Sequence, residues 1–198
     1  MNTKSLTFAV MMGALGTAFF AISYYVAPIA PSLAFDFSLI GVLVAGYYGG
    51  PKLGFLTGLF AGVLPGIMFG PLGTGGIFGL LGLPFGKALT GMTAGLLSSG
   101  IKFEQKSRPA ILAIPSTFTA YIPESLFTWG YFVFLLGTTV GTAVFSTILV
   151  KALIELAVMS LVMVALLRNN GFSCYIRGHF FRRETQVENK LLFFERNS

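Results

Sequence analysis

Charge is scarce in this sequence. Of 198 residues, 13 are Lys or Arg and seven are Asp or Glu, so charged residues make up 10% of the chain. Soluble domains typically carry about 25%, and the shortfall excludes an ordinary water-soluble globule. Cysteine and histidine are scarcer still, with Cys174 and His179 each alone. A single cysteine excludes an intrachain disulfide. A single histidine, close to the carboxyl terminus, excludes a histidine-rich metal site and leaves no Ser-His or Cys-His catalytic pair in the apolar part of the chain. A working phosphate-binding loop is missing as well. The stretch Gly82-Leu83-Pro84-Phe85-Gly86-Lys87-Ala88 has the wrong spacing, with Ala88 where Ser or Thr would hold magnesium. The chain is therefore not expected to hydrolyse ATP unaided. Only carboxylate or lysine chemistry remains open to an enzyme, with no motif behind it, so we read the chain as a non-enzyme with no cofactor and no metal.

What is abundant is apolar. Hydrophobic residues make up 55% of the chain, and the mean hydropathy is +0.81, so lipid is the expected solvent for most of the surface. A membrane helix needs about 20 mainly apolar residues. Six such windows can be drawn, at residues 6–27, 33–48, 53–70, 77–100, 110–136 and 138–167. The expected fold is all-α, an integral membrane bundle of six transmembrane helices over 1–167, followed by a basic cytoplasmic tail over 168–198. The apolar run near the amino terminus is too long for a signal peptide, whose core is about 7 to 15 residues.

Positive residues mark the cytoplasmic side. Lys4 precedes helix 1, Lys52 lies between helices 2 and 3, Lys102, Lys106 and Arg108 lie between 4 and 5, and Arg168, Arg177, Arg182, Arg183, Lys190 and Arg196 follow helix 6. The connections after helices 1, 3 and 5 hold none, which predicts both termini in the cytoplasm and a multi-pass protein of the plasma membrane. The net charge of +6 then sits beside anionic lipid, so no nucleic-acid partner is expected.

Helix 1 carries small residues at Ala9, Gly13, Thr17 and Ala21, with Ala14 and Ala18 beside them. This four-residue spacing permits close helix approach, either inside the bundle or against a separate membrane subunit. Pro65, Pro84, Pro115 and Pro123 fall inside apolar windows and predict kinked or broken helices.

Ionisable residues in the windows carry the most information, because each is costly in hydrocarbon unless paired or hydrated. They are Asp36, Lys87, Glu124, Lys151 and Glu155. Asp36 is expected near the outer end of helix 2, where water can reach it. Counted from the outer helix ends at about 1.5 Å per residue, Lys87, Glu124 and Lys151 lie roughly 15 to 20 Å deep, with Glu155 somewhat deeper. Lys151 and Glu155 are four apart and share one side of their helix. Helices 4, 5 and 6 are thus expected to share a buried polar cluster. It is either an ion-pair network that fixes packing or a polar ligand pocket flanked by Tyr121, Ser125, Thr128, Trp129 and Tyr131.

The segment Leu43-Val44-Ala45-Gly46-Tyr47-Tyr48-Gly49-Gly50-Pro51-Lys52-Leu53-Gly54, with the helix 1 stripe and the six-helix pattern, resembles the substrate-binding S-components of energy-coupling factor (ECF) transporters, which import vitamins and related micronutrients. The resemblance spans about residues 5–167. It implies that helix 1 docks on a transmembrane coupling subunit driven by two cytoplasmic ATPases, and that a small-molecule substrate binds between helices 4 to 6 in the outer half. It further implies that the subunit topples in the membrane to release its substrate. Lys87, Glu124, Trp129 and Lys151 become substrate contacts, with Glu155 and Tyr121 beside them, and Ala9, Gly13, Thr17 and Ala21 become the docking face. Two other functions stay open: a self-contained secondary transporter or channel using Glu124 or Glu155 as a proton site, and a non-transporting membrane subunit with structural charges.

Overall fold

A computed structural model describes residues 3–26, 28–30, 33–73, 76–101 and 110–181. Its helices are α1 (Thr3–Val26), α2 (Leu39–Gly49), α3 (Pro51–Phe69), α4 (Gly76–Ile101), α5 (Ala113–Leu136), α6 (Thr138–Arg168) and α7 (Asn170–Ile176), ending in a π-helical turn, Arg177–Phe181. Between α1 and α2 lies a two-stranded antiparallel ribbon of β1 (Pro28–Ala30) and β2 (Leu33–Ala34).

Among the described residues, four helical segments are long and apolar enough to cross a membrane: Thr3–Val26, Pro51–Phe69, Gly79–Ser99 and Thr138–Arg168. The α5 helix has the length, at 24 residues, but Thr117, Thr119, Glu124, Ser125 and Thr128 lower its hydropathy. The α2 helix, at 11 residues, extends only about 16 Å. It is shorter than the expected window 33–48 because the chain before Leu39 does not coil. Pro28 and Pro31 disfavour a helix there, and Asp36 forms a side-chain turn, its Oδ1 accepting Ser38 N–H at 3.0 Å and Ser38 Oγ at 2.6 Å. Such a turn competes with the helix.

The tightest seam joins α3 to α4. Gly54, Gly58, Gly62 and Gly66 form a four-residue stripe on α3, and each lies against α4 backbone. A Cβ on Gly54 would meet Gly91 O at 2.1 Å, one on Gly58 would meet Lys87 O at 2.4 Å, and one on Gly62 would meet Pro84 Cα at 2.3 Å. Without side chains the two helices touch backbone to backbone, where dispersion contact replaces the hydrophobic drive that lipid does not supply. The turn between α2 and α3 is set by Gly50, at φ +80°, and by Pro51 in the first turn of α3.

Fully buried Phe8, Val42, Leu43, Ala61, Met159 and Met163 fill the interior, whereas Leu6, Met11, Ile22, Leu126, Phe134, Ile154 and Leu161 are exposed. Large apolar residues facing outward on helices this long are what a lipid solvent requires. The described part of the tail folds back on the bundle: the Phe180 and Phe181 rings lie 5.0 and 5.4 Å from Phe8, and the Tyr48 and Ser173 hydroxyls are 2.8 Å apart. The expected basic tail continues beyond this into residues 182–198, which lie outside the described residues, as do Lys102, Lys106 and Arg108.

Candidate substrate site

Four segments bring charge to one place. The α3–α4 seam fixes Lys87, which is 1% exposed. Its Nζ donates to the Asp36 carboxylate and, at 2.7 Å, to Ser38 Oγ. The turn before α2 thus reaches across the bundle to α4. The Asp36 backbone N–H donates to Glu155 Oε1 at 2.5 Å, and the same oxygen lies 3.2 Å from Lys151 Nζ one turn earlier on α6. On α5, Glu124 is 6% exposed and accepts a hydrogen bond from the Thr90 hydroxyl of α4. Lys87 feels both Glu124 and Glu155 electrostatically, so the five charges form one network.

Each expected site residue can now be placed. Lys87, Glu124, Lys151 and Glu155 meet. Tyr121, one turn before Glu124 on α5, is partly buried and lies in the field of Glu124 and Glu155. Trp129 does not join them, being 43% exposed and five residues from Glu124, which turns it to another face of α5. The Ser125 hydroxyl is occupied locally by Ile122 O at 2.8 Å.

Asp36 is the main correction. Expected at a hydrated helix end, it is instead the ion-pair partner of Lys87, with its side chain 16% exposed. Ser38 and Thr90 were not anticipated either. The available signals were Ser38 two residues after Asp36 and Thr90 three after Lys87, spacings that place a hydroxyl on the same turn.

The helix 1 stripe also needs correction. Ala9 and Gly13 are buried inside the bundle, where Ala9 O accepts from Thr57 Oγ1 of α3 at 3.2 Å and a Cβ on Gly13 would stand 2.7 Å from Phe60 Cβ. Thr17 and Ala21 are partly buried, while Ala14 and Ala18 are exposed. The packing reading therefore holds for Ala9 and Gly13, and the outward small-residue step of α1 is Ala14–Ala18.

An open apolar groove of about 490 Å³ runs along α3, α4 and α5, lined by Leu59, Leu80, Leu81, Pro84, Phe85, Phe127 and Tyr131, with Leu81 and Phe85 exposed. The charged side chains do not line it. It sits along the same α4–α5 seam as Glu124: Gly86 faces Glu124 and Gly82 faces the Phe127 ring, one helical turn apart.

A buried network of ion pairs within a bundle of apolar helices is the setting in which the family comparison becomes informative. The model of the family described as "ECF transporter, substrate-specific component" matches residues 4–167. The chain belongs to this family. Comparison with curated proteins and with solved structures finds no match. As an S-component it is a multi-pass transport protein of the plasma membrane, the substrate-specific part of an ECF importer. The family match ends at Leu167, so the folded-back segment 170–181 lies beyond it.

Proposed function

We propose that this S-component captures a small polar micronutrient, of the vitamin class, at the Lys87–Asp36–Glu124–Glu155–Lys151 cluster. It would present that substrate to a transmembrane coupling subunit driven by two cytoplasmic ATPases. The observation that carries the reading is convergence: α4, α5, α6 and the turn before α2 each contribute charge to one buried level, although each charge is costly in hydrocarbon. In this reading the chain crosses the membrane six times with both termini in the cytoplasm. The α2 helix spans together with the ribbon and turn before it, and the cluster lies in the outer half. Lys87, Glu124, Lys151, Glu155 and Tyr121 are the ligand contacts. Trp129 is assigned to the membrane interface, where an exposed Trp is favoured.

The coupling subunit is proposed to dock on Ala14–Ala18 rather than on Ala9–Gly13. The four-residue step is retained there, and the face is open. The test is copurification with the coupling subunit. Ala14→Leu combined with Ala18→Leu is expected to abolish the complex while leaving the thermal melt of the isolated chain unchanged. A complex that survives the pair removes this assignment.

A secondary transporter with Glu124 as proton site is the alternative, favoured only by the absence, among the described residues, of a cation in contact with that carboxylate. Uptake by the purified chain alone, in ATP-free vesicles under a pH gradient, would decide for it.

A further inference from the structure

We infer that the captured ligand is a small organic cation, an ammonium or amidinium group on an apolar or aromatic body, and that Glu124 receives its charge. The inference rests on the capture reading and narrows it by the sign of the ligand: the ligand's charge meets Glu124, while Lys87 and Lys151 hold Asp36 and Glu155 and frame the site without touching that charge. Among the described residues three carboxylates and two ammonium groups meet in the cluster. Two ion pairs account for four of these: Lys87 with Asp36 and Lys151 with Glu155. Glu124 remains. Its Oε2 accepts from the Thr90 hydroxyl. Among the described residues no donor reaches its Oε1, and no cation stands within ion-pair distance of it.

A carboxylate that is 6% exposed and that has, among the described residues, only the more distant fields of Lys87 and Lys151 and no cation within ion-pair distance is under-compensated in a low-dielectric interior, and a proton or a positive guest relieves it. A negative guest meets the reverse situation. Both ammonium groups are already engaged, so a carboxylate ligand would have to break an existing pair and leave two anions uncompensated.

Gly86 packs directly against Glu124: a Cβ there would come within 3.2 Å of Glu124 Cγ and 3.6 Å of Oε1, so α4 passes the carboxylate closely only because this residue has no side chain. Space lies one turn along the same seam, in the open apolar groove of about 490 Å³, a volume in the small-molecule range. The Phe85 and Phe127 rings, 5.4 Å apart between centroids, stand beside it. Apolar walls suit a hydrocarbon or aromatic body, and ring faces attract a cation that approaches Glu124 past them.

The test uses the full chain in lipid nanodiscs and three probes of one shape: benzamidinium, benzamide and benzoate, extended to larger aromatic amines, amides and carboxylates. Thermal shift and calorimetric titration give the affinities. Stabilisation is expected from the cations alone, with affinity at least about ten-fold weaker in Glu124→Gln. Gly82→Leu, which fills the seam from the apolar side and leaves every charge in place, is expected to weaken binding likewise. Stabilisation by carboxylates that Glu124→Gln leaves unchanged overturns the sign of the ligand but keeps the capture reading. Absence of any shift from all three classes, in a chain that still copurifies with the coupling subunit, overturns the cation and leaves the family role. If the complex is lost too, both fail.

Discussion

Lys87 shows what a buried charge does to its surroundings. Its ammonium has no route to water at 1% exposure, so Asp36 and Ser38 hold it from across the bundle. Lys87→Met is therefore expected to destabilise the chain by about 3 to 5 kcal/mol, since it leaves the Asp36 carboxylate buried and unpaired. Lys87→Met together with Asp36→Asn is expected to recover most of that loss. Thermal melts of the two variants in one detergent measure both, and a double variant no more stable than the single one would show that the pair is not the stabilising unit. That Lys87, Glu124, Lys151 and Glu155 would come together inside the bundle was legible from the sequence, because a charge inside an apolar run is conspicuous. Asp36 was not. Its meaning depends on a long-range contact between a turn and a helix 51 residues later, and a hydropathy window scores it only as a helix end. Trp129 lies apart from the cluster for the opposite reason: proximity in sequence to Glu124 does not fix which face of α5 a ring occupies.

At the scale of elements, glycine decides the packing. The α3 stripe from Gly54 to Gly66 brings α4 near enough to set Lys87 at the level of Glu124 and Asp36. Gly62→Val is expected to prevent stable folding, because its side chain would start 2.3 Å from Pro84 Cα; recovery of a monodisperse, cooperatively melting variant would contradict this. The stripe could have been read from the sequence, since its spacing of four is regular. Which of two small-residue stripes faces inward could not, and α1 illustrates the difficulty: Ala9, Gly13, Ala14 and Ala18 are chemically similar, and only packing against Thr57 and Phe60 distinguishes the buried pair from the exposed one. Helix boundaries from α3 to α6 followed the apolar windows closely. The start of α2 did not, because Asp36 and Ser38 spend their hydrogen-bonding groups on a turn. The contact between Tyr48 and Ser173 ties the segment 170–181 to α2, and Tyr48→Phe is expected to lower stability by about 0.5 to 1.5 kcal/mol, readable as a fall in melting temperature that Ser173→Ala reproduces.

For the whole molecule, the proposed orientation puts the lysine- and arginine-bearing ends in the cytoplasm, and the single cysteine gives a direct check. Cys174 is exposed, so a membrane-impermeant thiol reagent should label it in inside-out vesicles and not in intact cells. Labelling in intact cells would invert the proposed topology. Orientation also determines which way the cluster opens and which face of the bundle meets the ATP-driven partners. In the proposed reading the network of five charges works as a receptor rather than as a brace. The most direct measurement is ATP-driven uptake by the complex reconstituted into proteoliposomes from a mixture of small metabolites, with the accumulated compound identified by mass spectrometry. The wild-type complex is predicted to concentrate one small polar compound, and Glu124→Gln to lose that accumulation although the complex still assembles. Equal uptake by Glu124→Gln and the wild type would contradict a substrate role for the buried cluster.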